Sequence, residues 1–198
     1  MTKIIYLYPE VLLLQQPTIS YGAEYFDKYR RYSQTTLGQQ LHTFRQTYTE
    51  IFSPSHSKIL DYGCGYGELV VQNDHWYGYD IMEETKCRIG DKFDSNYKTY
   101  KTICFFDVLE HLYDPIHMLK SIDRGTTLII SIPLLPKFSG LKSLKTWKHY
   151  RPSEHILYSS PTGLETMMLD LNYDMRDHNT IESGLGREDI HTYCFIKS

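Results

Sequence analysis

The sequence predicts a single α/β domain on a mixed, mostly parallel sheet with helices on both faces. Three observations predict it. Short apolar strands alternate with short helical patterns from Lys58 onward, a glycine-rich turn follows the first of those strands, and there is apolar material for one sizeable core. The chain has 198 residues, 41% hydrophobic and 23% charged, a globular balance rather than a disordered one. Its 21 basic and 24 acidic residues leave a net charge of −3, so attraction to nucleic acid or an acidic membrane has to be local. Eighteen tyrosines raise the aromatic share to 14%, and packing is the main use expected of them. Cys64, Cys87, Cys104 and Cys194 show no C-x-x-C spacing, which fits a reducing, cytoplasmic setting without a disulfide framework or a thiolate zinc cage. The apolar run from Ile4 to Leu14 is broken by Pro9-Glu10 and is too short for a membrane span.

Taken in order, residues 1–34 carry Tyr6, Tyr8, Tyr21, Tyr25, Tyr29 and Tyr32 and are expected to form an irregular lid ahead of a domain of residues 35–198. Leu37, Leu41, Phe44, Tyr48 and Ile51 recur at steps of four, three, four and three, the period of an amphipathic helix. Thr36 and Gln39 fit a capping box at its start, and Ser53-Pro54 ends it. Strands are expected at 58–62, 76–80, 102–106 and 127–132. Helices are expected at 68–73 and 115–122, the second with Asp114 as N-cap and Pro115 in its first turn. A helix at 162–171 and two antiparallel strands at 173–179 and 190–196 complete a sheet of about seven strands.

The most informative stretch is Asp61-Tyr62-Gly63-Cys64-Gly65-Tyr66-Gly67-Glu68, at the end of the first strand of the alternating region. Glycines at alternate positions let the backbone turn tightly and bring N–H groups against a ligand where a Cβ would collide. Asp80 follows Asp61 by nineteen residues, at the end of the next strand, where a carboxylate can accept from both hydroxyls of a ribose. A nucleoside ligand is implied. Dinucleotide binding needs G-x-G-x-x-G, but Glu68 stands at the third position, and no G-x-x-x-x-G-K-[ST] segment offers a triphosphate cradle.

The residues from Asp61 to Gly67 resemble motif I of class I S-adenosylmethionine-dependent methyltransferases, D-x-G-C-G-x-G, with Asp80 on that family's ribose-binding acid. The stretch from Phe106 to Pro115 resembles the D-V-L-E-H-L-x-D-P segment of the branch containing ubiquinone-biosynthesis O-methyltransferases, and Ser131-Ile132-Pro133 matches the strand that follows there. The resemblance implies a Rossmann-like sheet of seven strands, the last antiparallel, with S-adenosylmethionine across the C-terminal ends of the strands. It assigns donor binding to Asp61, Gly63, Cys64, Gly65, Gly67, Asp80, Ile81 and Asp107. Only about twenty residues separate Asp80 from the strand at Thr102, so the third strand is expected to be reduced. Asp94, the remaining candidate for an adenine contact, is expected to be solvated surface charge.

Methyl transfer is an in-line displacement at a sulfonium, so alignment and removal of one proton suffice. His111, with Glu110 beside it, is the natural base at the end of the fourth strand. Asp107, Glu110, His111 and the distant His155 also resemble the E-x-x-E-H plus His ligands of metal-dependent 2′-O-methyltransferases acting on small-RNA ends. A metal-free site is nonetheless expected, because Asp107 is the short member of that set and the sequence declares no partner to orient the imidazoles. Residues 137–151 hold five permanent cations, three aromatics and no acid; a solvated basic loop with Trp147 in the core is expected, and contact with an anionic or nucleic-acid acceptor is the alternative. The expected activity is methyl transfer to an oxygen or nitrogen of a small or medium-sized acceptor. An RNA 2′-O or base methyltransferase and a non-catalytic donor-binding protein are the alternatives.

Overall fold

The computed structural model describes residues 3–15, 27, 30–137 and 140–198. Strands β1 (Lys3–Tyr8) and β2 (Val11–Gln15) form an antiparallel hairpin whose turn places Glu10 at φ 62°. This corrects the expectation of an irregular N-terminal lid for these residues. The apolar run is short because Pro9-Glu10 folds it back on itself, and Val11, Leu12 and Leu14 are buried in the result. Tyr21, Tyr25 and Tyr29 lie outside the described residues.

Helix α1 (Thr36–Phe52) is capped by Thr35, whose side chain accepts from Gly38 N–H at 3.1 Å, so the cap stands one residue before the expected Thr36 box. Its buried face is Gly38, Leu41, Arg45, Tyr48 and Thr49, whereas Ile51 is exposed. The apolar stripe thus bends to take in an arginine. Strand β3 (Ile59–Tyr62), helix α2 (Glu68–Gln72), strand β4 (Trp76–Tyr79) and helix α3 (Glu83–Ile89) follow, then β5 (Thr102–Phe106), α4 (Pro115–Ser121) and β6 (Thr127–Pro133). The expected cap of α4 is present, with Asp114 accepting from His117 N–H at 2.8 Å. The C-terminal part comprises α5 (Leu141–Thr146), β7 (Leu157–Ser159), α6 (Pro161–Asp170), β8 (Tyr173–Asn179), α7 (Ile181–Gly184) and β9 (Ile190–Lys197).

The main sheet has six strands in the order β4-β3-β5-β6-β9-β8, not seven. β4, β3, β5 and β6 are parallel, and β9 runs antiparallel to both its neighbours. The expected third strand survives as a single parallel bridge between Gly78 and Phe93, because too little chain lies between β4 and β5 to build another β-α unit. Alternating side chains build two cores. Ile103, Phe105, Leu128 and Ile130 pack with Leu119 of α4 and Leu164 of α6, while Cys104, Phe106 and Ile129 face Tyr48 of α1 and Leu69 of α2. Helices therefore cover both faces, as the near-continuous apolar strands require.

A second sheet, β1-β2-β7, docks at the C-terminal end of the first. Leu135 N–H, just past β6, donates to Ser159 of β7 at 2.9 Å. Ile156 N–H, just before β7, donates to the Glu110 carbonyl at 2.6 Å. Gly163 of α6 makes room for the hairpin turn, since a Cβ there would lie 2.7 Å from the Glu10 carbonyl oxygen.

Candidate active site

The strand ends of β3, β4 and β5 deliver the functional residues to one edge. After β3 the chain turns through Gly63, Gly65 and Gly67 at φ 77°, 56° and 75°, values that side chains rarely adopt. Two of these glycines are fixed by packing: a Cβ on Gly63 would sit 2.4 Å from Val108 Cγ2, and one on Gly67 would sit 2.5 Å from Ile89 Cγ2. Gly65 differs, since a Cβ there meets nothing within 4 Å. Its open side is where a ligand can reach the backbone.

Asp80 fastens this loop, accepting from Gly65 N–H at 2.8 Å and from Met82 N–H at 3.2 Å. Beside it, Ile81 is 71% exposed, an uncovered apolar surface next to a carboxylate. Asp61 lies beneath the loop, 5% exposed. Burial, with the Asp80 charge adding to it and Arg45 opposing, pushes Asp61 up to about 7. Asp80 is also raised by burial, against the pull of its backbone N–H partners. Cys64 is half-buried, and burial raises its thiol well above the usual range, so it packs as an uncharged group.

Helix α3, which the sequence reading did not assign, holds the loop from behind. Thr85 donates to the Gly65 carbonyl, and Arg88 donates to the Tyr66 carbonyl while pairing with Glu68 at 3.1 Å. The signal was present: Glu83 and Glu84 in the first turn, Lys86 and Arg88 in the last, and Gly90 as C-cap match a helix macrodipole. Asp94 is not solvated surface charge. It is half-buried and accepts from Tyr100 Oη at 2.8 Å.

Asp107 follows β5 at φ 60°. Its two carboxylate oxygens accept from Arg45 at 2.7 Å and from Arg187 at 2.8 Å, and both guanidinium groups also bond Glu182, which is fully buried. Burial would raise the Asp107 pKa, but Arg187 and Arg45 outweigh it and hold the carboxyl well below the ordinary range. Asp107 is thereby committed to two cations, and it lies outside the group of ligand atoms that the fold brings together among the described residues. Arg45, Glu182 and Arg187 were missed. A lone arginine inside the stripe of α1 was the available sign.

Glu110, His111 and His155 do come together, each offering a ligand atom within 4.8 Å of the others. The turn Leu109–His111 carries the first two, and the hydrogen bond from Ile156 N–H to the Glu110 carbonyl brings the third across 44 residues of sequence. His111 Nδ1–H donates to the Glu154 carbonyl at 2.9 Å, and Nε2 stands 3.9 Å from Glu110 Oε1. Burial and the neighbouring Asp107 charge push Glu110 well above its usual range. Burial lowers His111, and burial with the His111 ring beside it takes His155 down to about 3. At neutral pH both imidazoles are therefore uncharged. Val108, one residue before the turn that carries Glu110 and His111, packs on Gly63, so this cluster and the glycine loop are neighbours.

The basic segment is anchored on the opposite loop. Trp147 Nε1–H donates to Asp189 at 2.7 Å, Lys148 pairs with Glu188 at 2.7 Å, and the His149 ring bonds the Glu188 carbonyl at 2.9 Å.

A mixed, mostly parallel sheet of this order, a glycine turn after β3 and an acid just past β4 together mark an open α/β protein with a nucleoside site at the strand ends. The chain belongs to a methyltransferase-domain family, whose model matches residues 26–178. No curated protein matches the sequence. Among solved structures, magnesium protoporphyrin IX methyltransferase from Synechocystis PCC 6803, with SAH bound, is 20% identical with a TM-score of 0.57, over 89% of this chain and 95% of that one. A possible histamine N-methyltransferase from Thermotoga maritima is 14% identical with a TM-score of 0.60, over 88% of this chain and 97% of that one. The cyclase SpnF is 10% identical with a TM-score of 0.58, over 80% of both chains. At these identities the likeness is one of fold, and a fold does not fix the reaction. No described helix is long and apolar enough to cross a membrane.

Proposed function

We propose that this protein transfers the methyl group of S-adenosylmethionine to an oxygen or nitrogen of a small or medium-sized acceptor. The observation that carries the reading is the Asp80 carboxylate on the Gly65 amide, beside open space at Gly65 and the exposed face of Ile81. That combination supplies an acceptor for ribose hydroxyls, a backbone that a ligand can approach, and an apolar surface for an adenine ring. The SAH in a structural relative is the product such a donor leaves behind.

In the reaction a lone pair of the acceptor forms the new bond to the methyl carbon while the carbon–sulfur bonding pair returns to sulfur, and the acceptor O–H or N–H gives up its proton. On this reading Glu110, His111 and His155, which lie together, are the groups that take that proton. Their presence favours a catalyst over a protein that only binds the donor. Pairing of Lys148 with Glu188 removes one cation from the basic segment and favours a small acceptor over nucleic acid.

Calorimetric titration with S-adenosylmethionine and with SAH tests the donor site, and transfer of labelled methyl to fractionated metabolites or to RNA tests the acceptor class. Replacing Asp80 by Ala removes a charged hydrogen-bond acceptor and is expected to weaken donor binding by about 10²–10³-fold. Unchanged affinity in that variant counts against the reading.

A further inference from the structure

The far edge of the main sheet brings two histidine rings together. His178 on β8 stands opposite Tyr193 on β9, which makes His178 and His191 diagonal neighbours across the antiparallel pair. Residues two apart on a strand share a face, so His191 and Tyr193 lie on the same side of the sheet. His178 Nε2 and His191 Nδ1 are 2.8 Å apart, and the two ring planes are 7° from parallel. The His178 ring also stacks on Tyr193 with centroids 4.2 Å apart, and the buried Tyr193 donates its Oη–H to Glu165 at 3.1 Å. β9 is paired on both sides, with Ile132 of β6 opposite His191, so the pair is carried by the sheet rather than by a loop. Burial, with His178 adding to it and Asp189 opposing, lowers His191 and leaves its ring uncharged at neutral pH.

We infer that His178 and His191 form a two-imidazole site for a divalent ion of square-planar preference, copper(II) or nickel(II), outside the Glu110 cluster and independent of the proposed methyl transfer. The spacing selects the ion. With metal–nitrogen bonds of about 2.0 Å, two nitrogens at a right angle on a square-planar ion lie about 2.8 Å apart, whereas a tetrahedral ion spreads them to about 3.3 Å. The observed 2.8 Å matches the first arrangement. Without the ion the contact is a hydrogen bond, in which one ring donates its N–H and the other accepts. On binding, that proton moves to the other nitrogen of its own ring, both contacting nitrogens give a lone pair to the ion, and water fills the remaining positions. No proton is released overall. The pair closes the neck of the β8–β9 connection, which carries Glu182 and Arg187 of the Asp107 network and the Glu188 and Asp189 that hold Lys148 and Trp147. An ion here therefore fixes the base of the loop that supports the Asp107 side of the site.

The test strips the purified, untagged full chain with a chelator, removes the chelator, and titrates with Cu²⁺, Ni²⁺ and Zn²⁺. Equilibrium dialysis reads stoichiometry, and the nitrogen hyperfine pattern in electron paramagnetic resonance reads the ligands of bound Cu²⁺. Expected is a Cu²⁺ ion held by two imidazole nitrogens and bound more tightly than Zn²⁺. His178→Ala and His191→Ala, shown folded by circular dichroism, should each bind one Cu²⁺ fewer per chain. The same loss in a His155→Ala background sets this ion apart from the Glu110 cluster. His178→Phe, which keeps a ring on Tyr193 and removes the nitrogen, should behave like His178→Ala and serves where that variant does not fold. Ni²⁺ should raise the melting temperature of wild type more than that of the variants, because it joins strands that are paired only in the folded chain. Folded variants that bind Cu²⁺ like wild type overturn the inference. So do a wild-type spectrum without two nitrogens, a loss that vanishes in the His155→Ala background, and equal Ni²⁺ shifts in all chains.

Discussion

Replacing Asp61 by Asn should make the protein's stability less dependent on pH. In the folded state the Asp61 carboxyl titrates at about 7, because it is buried and the Asp80 charge adds to the penalty. In the unfolded chain it titrates near 3.9. A raised folded value means that the group's contribution is fully present below the unfolded value and is lost as pH rises through about 7. Between pH 5 and pH 8 the folded protein has to release a proton that the unfolded chain has already lost, which costs about 2–3 kcal/mol. Asn keeps the shape and never ionises, so the variant escapes that loss. The assay is urea denaturation of both proteins at pH 5 and pH 8. All other titrating groups are shared, so the change in the difference between them reports Asp61 and its coupling to Asp80. Wild type should lose ground to Asp61→Asn by about 2–3 kcal/mol on going to pH 8, or roughly 4–12 °C in melting temperature for a chain of this size. Parallel stability profiles would refute the assignment of a protonated carboxyl beneath the glycine loop.

Glu182→Gln leaves Arg45 and Arg187 with Asp107 as their only carboxylate among the described residues, and breaking a buried network of this kind is expected to cost about 3–5 kcal/mol. A loss below about 1 kcal/mol in urea denaturation would mean that Asp107 alone neutralises both. The glycines should separate stability from binding. Gly63→Ala strains φ 77° and drives a methyl into Val108, for a loss of about 2–4 kcal/mol in stability. Gly65→Ala meets only its backbone strain, about 1–2 kcal/mol, and should show its larger effect as weakened S-adenosylmethionine binding by calorimetry.

What the sequence alone determined was local. The strands from Ile59 to Pro133 are short apolar runs bounded by turns, and α4 carries its own cap, so the strand edges and the Asp114 cap were legible to within a residue or so. The glycine loop and Asp80 were legible for the same reason, since backbone conformation and a strand end are written in a few adjacent residues. The reduced third strand followed from simple chain length. Tertiary structure decided whatever depends on partners distant in sequence. The hairpin of residues 3–15 looked irregular because its strands gain their third partner from β7, more than 140 residues later. Arg45, Glu182 and Arg187 carry no local pattern, and only packing shows that they claim both oxygens of Asp107. The same long-range closure places His155 against Glu110 and His111, through a strand start that bonds to the Glu110 carbonyl. Charges and imidazoles interact over a few ångströms of space whatever their separation along the chain, so the sequence could nominate these residues while only the fold could say which of them meet.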